Sequence, residues 1–218
     1  MRKRKIPEKP VYFMMNKKRS SVCSAVSSRR KTIFEDFVEN TGFSLEEFSG
    51  GGVKLHSAGR LDAESEGLIL LTNDGLFSNY LTRPENHIQK KYIAVLEKDI
   101  SPLAKKEFSK KAENGVFLPP EKKFGEQFCS SIILDWDFSS ELIKKYSVPV
   151  KKNNSSCLIT LEEGKFHEIR RLFTLFENSV IFLKRISAAN VFLDEKLLPG
   201  QCRTLLKEEL DIINQHFF

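Results

Sequence analysis

The chain reads as an α+β domain, with a mixed, mainly antiparallel sheet flanked by helices. Three observations carry this reading. Short apolar runs of strand length recur from Val11 to Leu193, bounded by turn-forming residues. Amphipathic stretches with helix-start residues fall between some of these runs and not others, so the strict βαβ alternation of a parallel sheet is missing. No repeat of roughly 20–50 residues stands out, which excludes solenoids and propellers. At 218 residues the chain is one large domain, or one domain of two closely packed lobes.

Taken in order, Val11–Asn16 is a short apolar strand, followed by a basic, Ser-rich loop that ends at Arg30-Lys31. Thr32 caps a helix with Glu35 at the capping-box position and Ile33, Phe34, Phe37 and Val38 on one face. Ser49–Gly52 reads as a plain flexible loop, because the Gly-Lys-Ser/Thr of a phosphate cradle does not follow. Gly67 leads into a buried strand, Leu68–Leu71. Asn73-Asp74-Gly75 is a turn that also starts a helix with Leu76, Phe77, Tyr80 and Leu81 inward. Lys91–Leu96 returns as a strand. Ser101 and Pro102 are the cap and first residue of a helix that ends at Asn114-Gly115. Cys129–Trp136 and Cys157–Glu162 are further strands, joined by a polar surface excursion over Asp137–Ser156. A helix from about Phe166 would bury Phe166, Ile169, Leu172, Phe173 and Phe176. The same spacing groups His167, Arg170, Arg171 and Thr174 on its other face. Ser179–Leu183 and Ile186–Leu193 read as two closing strands, Asp194–Gly200 as a turn and Glu208–Asn214 as an amphipathic end.

An apolar content of 40% with 18 Phe excludes global disorder. The net charge of +6 suggests a polyanionic partner, and it is unevenly placed. Residues 1–31 hold eleven Lys/Arg against one acid, Glu8, so the rest of the chain is mildly acidic. Residues 1–8 form a basic tail, either a solvated extension or an arm that contacts phosphates. The body from residue 9 to 218 is the single domain. Cys23, Cys129, Cys157 and Cys202 form no Cys-x-x-Cys pair, and the four His show no zinc-ligand spacing. Reduced thiols suit a cytoplasmic protein. No apolar run approaches the roughly 20 residues of a membrane helix, so no membrane partner is expected. IPEKP after the first basic residues argues against a secretory signal. The stretch from Lys17 to Lys31 has transit-peptide-like composition, but the adjoining VYFMMN already reads as a strand.

Three places could carry chemistry. Asp62 follows Gly59-Arg60-Leu61 where the chain bends; it is either a turn-capping carboxylate or a nucleophile, which must be ionised and held against a cation. A metal cluster of Asp62, Glu64 and Glu66 is the rival view, with no His nearby to support it. His167, Arg170 and Arg171 are either a solvated face or a phosphate clamp suited to the planar guanidinium fork. Tyr92 is either an ordinary strand aromatic or a platform for a nucleobase.

Together these segments resemble the ribosomal RNA pseudouridine synthases of the RsuA type. GRLDAESEGLILLTNDG matches that family's signature, Gly-Arg-Leu-Asp-x-x-Ser/Thr-Glu-Gly-Leu-x-x-Leu-Thr-Asn-Asp-Gly. LTRPENHIQKKYIAVLE, EGKFHEIRRLF and LPGQCRTLLKEEL fall on three further family segments in the family's order, over about residues 9–211. The resemblance implies the pseudouridine synthase fold and isomerisation of a uridine in ribosomal RNA. It places the catalytic Asp on Asp62 and the base-stacking Tyr on Tyr92. The basic partner of the Asp falls on Arg170, with Leu172 as an apolar pocket wall and Arg60 beside the substrate. Lys17, Lys18, Arg19, Arg29, Arg30, His167 and Arg171 are the expected RNA contacts. No cofactor or metal is implied, and the protein is expected to be a monomer whose partner is small- or large-subunit ribosomal RNA, free or in a pre-ribosomal particle. A silent RNA-binding protein of the same fold is the alternative reading. It has no need of a nucleophile paired with a cation.

The chain departs from the family pattern in places. Where members have Asn-Lys-Pro-x-Gly, it reads Asn16-Lys17-Lys18-Arg19-Ser20, so a floppier, more basic loop is expected. Ala63 replaces a usual charged residue. The small N-terminal RNA-binding domain of many members is expected to be absent, its affinity supplied in part by Arg2–Lys5 and the 17–31 loop.

Overall fold

The structure, a computed structural model, describes residues 10–48 and 54–215. In chain order the elements are β1 (Tyr12–Lys17), α1 (Ile33–Thr41), β2 (His56–Ser57), β3 (Glu66–Thr72), α2 (Gly75–Thr82), β4 (Lys90–Leu96) and α3 (Pro102–Glu113). There follow β5 (Val116–Leu118), β6 (Gln127–Cys129), β7 (Ile133–Asp135), α4 (Ser140–Lys145), β8 (Ser156–Leu161) and α5 (Glu168–Thr174). The chain closes with β9 (Val180–Ala188), β10 (Val191–Phe192), β11 (Cys202–Thr204) and α6 (Lys207–Asn214). It is an α+β fold of two compact units, one drawn from the chain up to Ile88 and from Ser187 onward, the other Gln89–Ile186. The expected basic tail and the Ser49–Gly52 loop lie outside the described residues.

In the first unit β1 is central, antiparallel to β3 on one side and to β11 on the other. Met14 sits opposite Leu70 and Arg203. Strand alternation sends Phe13 and Met15 to one face, where they pack with Ile33, Phe34, Phe37, Leu55, Ile69 and Leu71. Phe13, Phe37 and Phe48 meet edge to face, with centroids 5.0–5.7 Å apart. Helix α1 starts where expected, with the Thr32–Glu35 capping box formed in both directions. Asp74 caps α2 by accepting from Leu76 N and Phe77 N, and its other oxygen accepts from Tyr12 Oη at 2.9 Å. Asn73 Oδ1 accepts from Val11 N, so the Asn-Asp-Gly turn of the signature ties β1 to α2.

In the second unit β4 lies between β9 and β8, β7 pairs with β8, and β5–β6 is a separate hairpin. Ser101 caps α3 with Pro102 at its first turn, and the helix stops at Asn114. Four expectations change here. Cys129–Trp136 is not one strand: it breaks after Cys129 into β6 and β7. The excursion over 137–156 is not a bare polar connection, because it contains α4 and buries Tyr146, Val148 and Ser155. The two closing strands are one continuous β9 plus the short β10. Lys184 and Arg185, between the two expected strands, are both 5% exposed and continue β9, and Lys184 Nζ donates to Tyr146 O at 3.1 Å. The helix expected from Phe166 begins at Glu168, with His167 in the left-handed region (φ 50°).

The loop after β1 is not floppy. Val22 bridges Thr32, with Val22 N donating to Lys31 O and Ile33 N to Val22 O, both at 2.9 Å. Ser20, where the family has Gly, has φ 74°, so the chain keeps the turn with a strained residue. Relief of the left-handed strain, about 1–2 kcal/mol, outweighs the added chain entropy of glycine, about 0.5–1 kcal/mol. Ser20→Gly is therefore expected to raise the melting temperature by a few degrees; an unchanged or lower midpoint in a thermal melt would contradict this account of the turn.

Candidate active site

Asp62 sits half-buried on the loop between β2 and β3. Gly59 opens that loop at φ 85°, a conformation side chains rarely adopt. Ala58 N donates to Leu70 O before the bend, and Ser65 N to Asp62 O after it. The segment after β1 then holds the loop at several points. Lys17 is 0% exposed, and its amine donates to Ser65 O at 2.7 Å, Lys18 O at 3.1 Å and Ala63 O at 3.3 Å. Ser20 N donates to Ala63 O at 2.8 Å. The Cys23 thiol and the Leu61 backbone exchange bonds, Sγ–H to Leu61 O at 3.5 Å and Leu61 N–H to Sγ at 3.4 Å. Glu64 receives Arg30 at 2.7 Å and Arg19 at 3.3 Å.

These contacts correct the reading of Lys17 as an RNA contact. Its amine is sealed inside, where no phosphate reaches it, and serves the Asp62 loop. Burial pulls its pKa down, opposed by Cys23, Asp62, Glu64 and Glu66. Lys18 is also engaged, pairing at 2.7 Å with buried Asp36, which Ser21 and Lys31 also bind. Burial works against the Asp36 charge, but the bonds from Lys18, Ser21 and Lys31 hold its carboxyl below the usual range. Arg19, Arg29, Arg30 and Arg60 are exposed. Glu64 is bound by two arginines.

The second unit holds the other expected residues. Tyr92 is 8% exposed on β4, opposite Ile159. Lys90 shares its face of the strand two residues earlier and donates to Glu162 O at 2.7 Å. Burial first, then the Arg185 charge, push the Lys90 amine down to about 8, against Glu168 and Glu162. Arg170 is half-buried and donates to Val180 O at 2.9 Å. Leu172 is fully buried, so it packs α5 and offers no free surface as a pocket wall.

Arg171 corrects the cationic-face reading. It is 2% exposed, and its guanidinium donates to Pro119 O, Gln127 Oε1, Gly125 O, Leu118 O and Phe166 O. It is the clamp that holds the β5–β6 hairpin, not an RNA contact. His167 stands outside the helix, bonded through Nδ1 to Glu121 at 2.8 Å and stacked on Phe166 at 3.8 Å. Among the described residues, Cys129, Glu163 and Glu168 could converge on an ion. The group is closed by its own bonds: Cys129 Sγ to Glu168 at 2.8 Å, Lys165 N to Glu168 at 2.7 Å, and Lys165 and Ser130 N to Glu163. Burial pushes both the Cys129 thiol and the Glu168 carboxyl up, favouring their protonated forms over those a metal needs.

The loop anchor gives a prediction. Lys17→Met keeps the bulk but removes the Lys17 donor from Ser65 O, leaving Ala63 O held by Ser20 N alone, so it should lower unfolding free energy by about 1–3 kcal/mol. Turnover should fall more than substrate affinity. A variant as stable and active as the parent would overturn the role of the anchor.

A family model described as RNA pseudouridylate synthase matches residues 11–175. The ribosomal small subunit pseudouridine synthase A of Salmonella typhimurium is 31% identical over 201 residues, 92% of this chain and 73% of that protein. An uncharacterized RNA pseudouridine synthase of Bacillus subtilis is 31% identical over 208 residues, 94% of this chain and 74% of the relative. A crystal structure of a pseudouridylate synthase has a TM-score of 0.72 at 30% identity, covering 94% of this chain and 74% of the other. Among the described residues, no helix is long and apolar enough to cross a membrane. The matched region carries Asp62 on its glycine-flanked loop, Tyr92 on β4 and Arg170 on α5, and the chain belongs to the RNA pseudouridylate synthase family.

Proposed function

We propose that this enzyme isomerises a uridine of small-subunit ribosomal RNA to pseudouridine, with Asp62 as the nucleophile. The observation that carries the role of Asp62 is its suspended loop: a half-buried carboxylate whose flanking backbone is fixed from below by Lys17, Ser20 and Cys23. A nucleophile held this way does not need to be reordered when substrate arrives. The choice of ribosomal RNA is supported by the name of the Salmonella relative.

The reaction breaks the N1–C1′ glycosidic bond and forms a C5–C1′ bond in its place. The hydrogen on C5 leaves and N1 gains one, so atoms balance without a redox partner. Asp62 forms a transient bond to the sugar or the uracil ring, and both routes need its carboxylate ionised. We assign that task to the guanidinium of Arg170, which disfavours protonation of a neighbouring carboxylate. The target base must leave the stack, and Tyr92 would hold it, a contact worth about 1–3 kcal/mol. We assign the substrate backbone to Arg60, exposed two residues before Asp62, with Arg29 and His167 as further RNA contacts.

Tritium release from small-subunit ribosomal RNA labelled at uridine C5 tests the assignment. The parent should release label, and Asp62→Asn should release none while binding RNA within about twofold of the parent. Full release by the variant would remove Asp62 from the chemistry. Tyr92→Phe should keep its RNA affinity because the stacking ring remains, and a large loss of affinity would show that the hydroxyl, not the ring, makes the contact.

A further inference from the structure

Glu64 stands two residues beyond Asp62, with its carboxylate gripped from both sides. Arg30 Nη1 lies 2.7 Å from Oε1 and Arg19 Nε 3.3 Å from Oε2. The three side chains are 49% (Arg19), 45% (Arg30) and 46% (Glu64) exposed, so water, ions and RNA can reach them. Exposed pairs of this kind contribute little to stability. The backbone of this loop is already held by Lys17 and Ser20 at Ala63 and by Lys17 at Ser65. Neighbouring cations have their own partners, Lys18 on Asp36 and Lys31 on Asp36 and Glu39. A carboxylate between two accessible guanidiniums occupies the position and supplies the charge of the other ligand that such a fork prefers, a phosphate.

We propose that Arg19 and Arg30 form a binding site for an RNA phosphodiester near the target uridine, and that Glu64 occupies this site in the free enzyme. The proposal rests on the reading of Asp62 as the nucleophile acting on RNA. RNA binding exchanges one anion for another at low cost. Glu64 competes as an internal ligand, at an effective concentration on the order of millimolar. A weak or misplaced polyanion fails to displace it, while RNA that also engages the pocket succeeds.

A double-mutant cycle tests this, read as the affinity for a short fluorescent single-stranded RNA over a range of salt concentrations. Glu64→Gln empties the site and should tighten binding about two- to fivefold, with a salt dependence steeper by about one unit of log–log slope. Arg19→Gln with Arg30→Gln should weaken binding about tenfold. Adding Glu64→Gln to that pair should then give no gain. No gain in the single Glu64 variant overturns the proposal. So does a gain that persists without the arginines, since that would be general repulsion between Glu64 and RNA. Melting temperatures should stay close among these variants, because all three side chains are half exposed; this separates a folding loss from a binding change. Tritium release by the parent is measured beside the cycle. Release without the expected coupling overturns this site alone, whereas no release overturns the reading beneath it.

Discussion

One buried ammonium organises the loop that carries Asp62. Lys17 ends the central strand of the first unit, wholly out of solvent, and gives its protons to three carbonyls around the Asp62 loop. A buried charge costs several kcal/mol unless it is fully bonded. Here the three carbonyls and the nearby Cys23, Asp62, Glu64 and Glu66 offset part of that cost, while burial still holds the amine below its usual pKa. The loop must therefore keep Ala63 O and Ser65 O turned inward, and that constraint sets the path of the backbone on which Asp62 sits. Its neighbour Asn16 does the same for the other side of the strand. Asn16 Nδ2 donates to Leu197 O, and Asn16 exchanges backbone bonds with Gly200 and Gln201. Two adjacent residues of β1 thus join the signature loop to the closing segment. That segment is braced by Arg203, which binds Glu209 through two nitrogens and Asp194 through a third.

Features encoded by local chemistry were legible from the residues. The Thr32–Glu35 box, the Asp74 cap and the Ser101-Pro102 start each need only neighbours two or three positions away. The strand cores were legible because apolar runs of that length have few other uses. Burial of charge was not legible. Lys17 and Arg171 look like surface cations in a chain rich in them, yet each is buried by carbonyls from segments distant in sequence, 46 and 48 residues away for Lys17 and up to 53 for Arg171. Lys184 and Arg185 are buried in the same way, within a strand that runs straight through the gap left between the two expected strands. Hydrophobic periodicity registers what a side chain avoids, and a long cation with enough acceptors does not avoid the interior.

The loop between Lys17 and Lys31 therefore has two roles that composition blends into one. Its inner residues, Lys17, Ser20 and Cys23, fix backbone around Asp62. Its outer residues, Arg19, Arg29 and Arg30, face solvent, and two of them hold Glu64. The missing Pro and Gly of the family pattern do not loosen it, because Lys18 and Ser21 secure it to Asp36 and Ser20 takes the glycine-like conformation itself.

The central claim is that this fold delivers Asp62 to a uridine of ribosomal RNA. It is tested most directly by mapping pseudouridines in ribosomal RNA from cells with the gene, without it, and carrying only the Asp62→Asn form. The account predicts that a specific small-subunit pseudouridine is present with the intact gene and absent in the other two. An identical map in all three would contradict it.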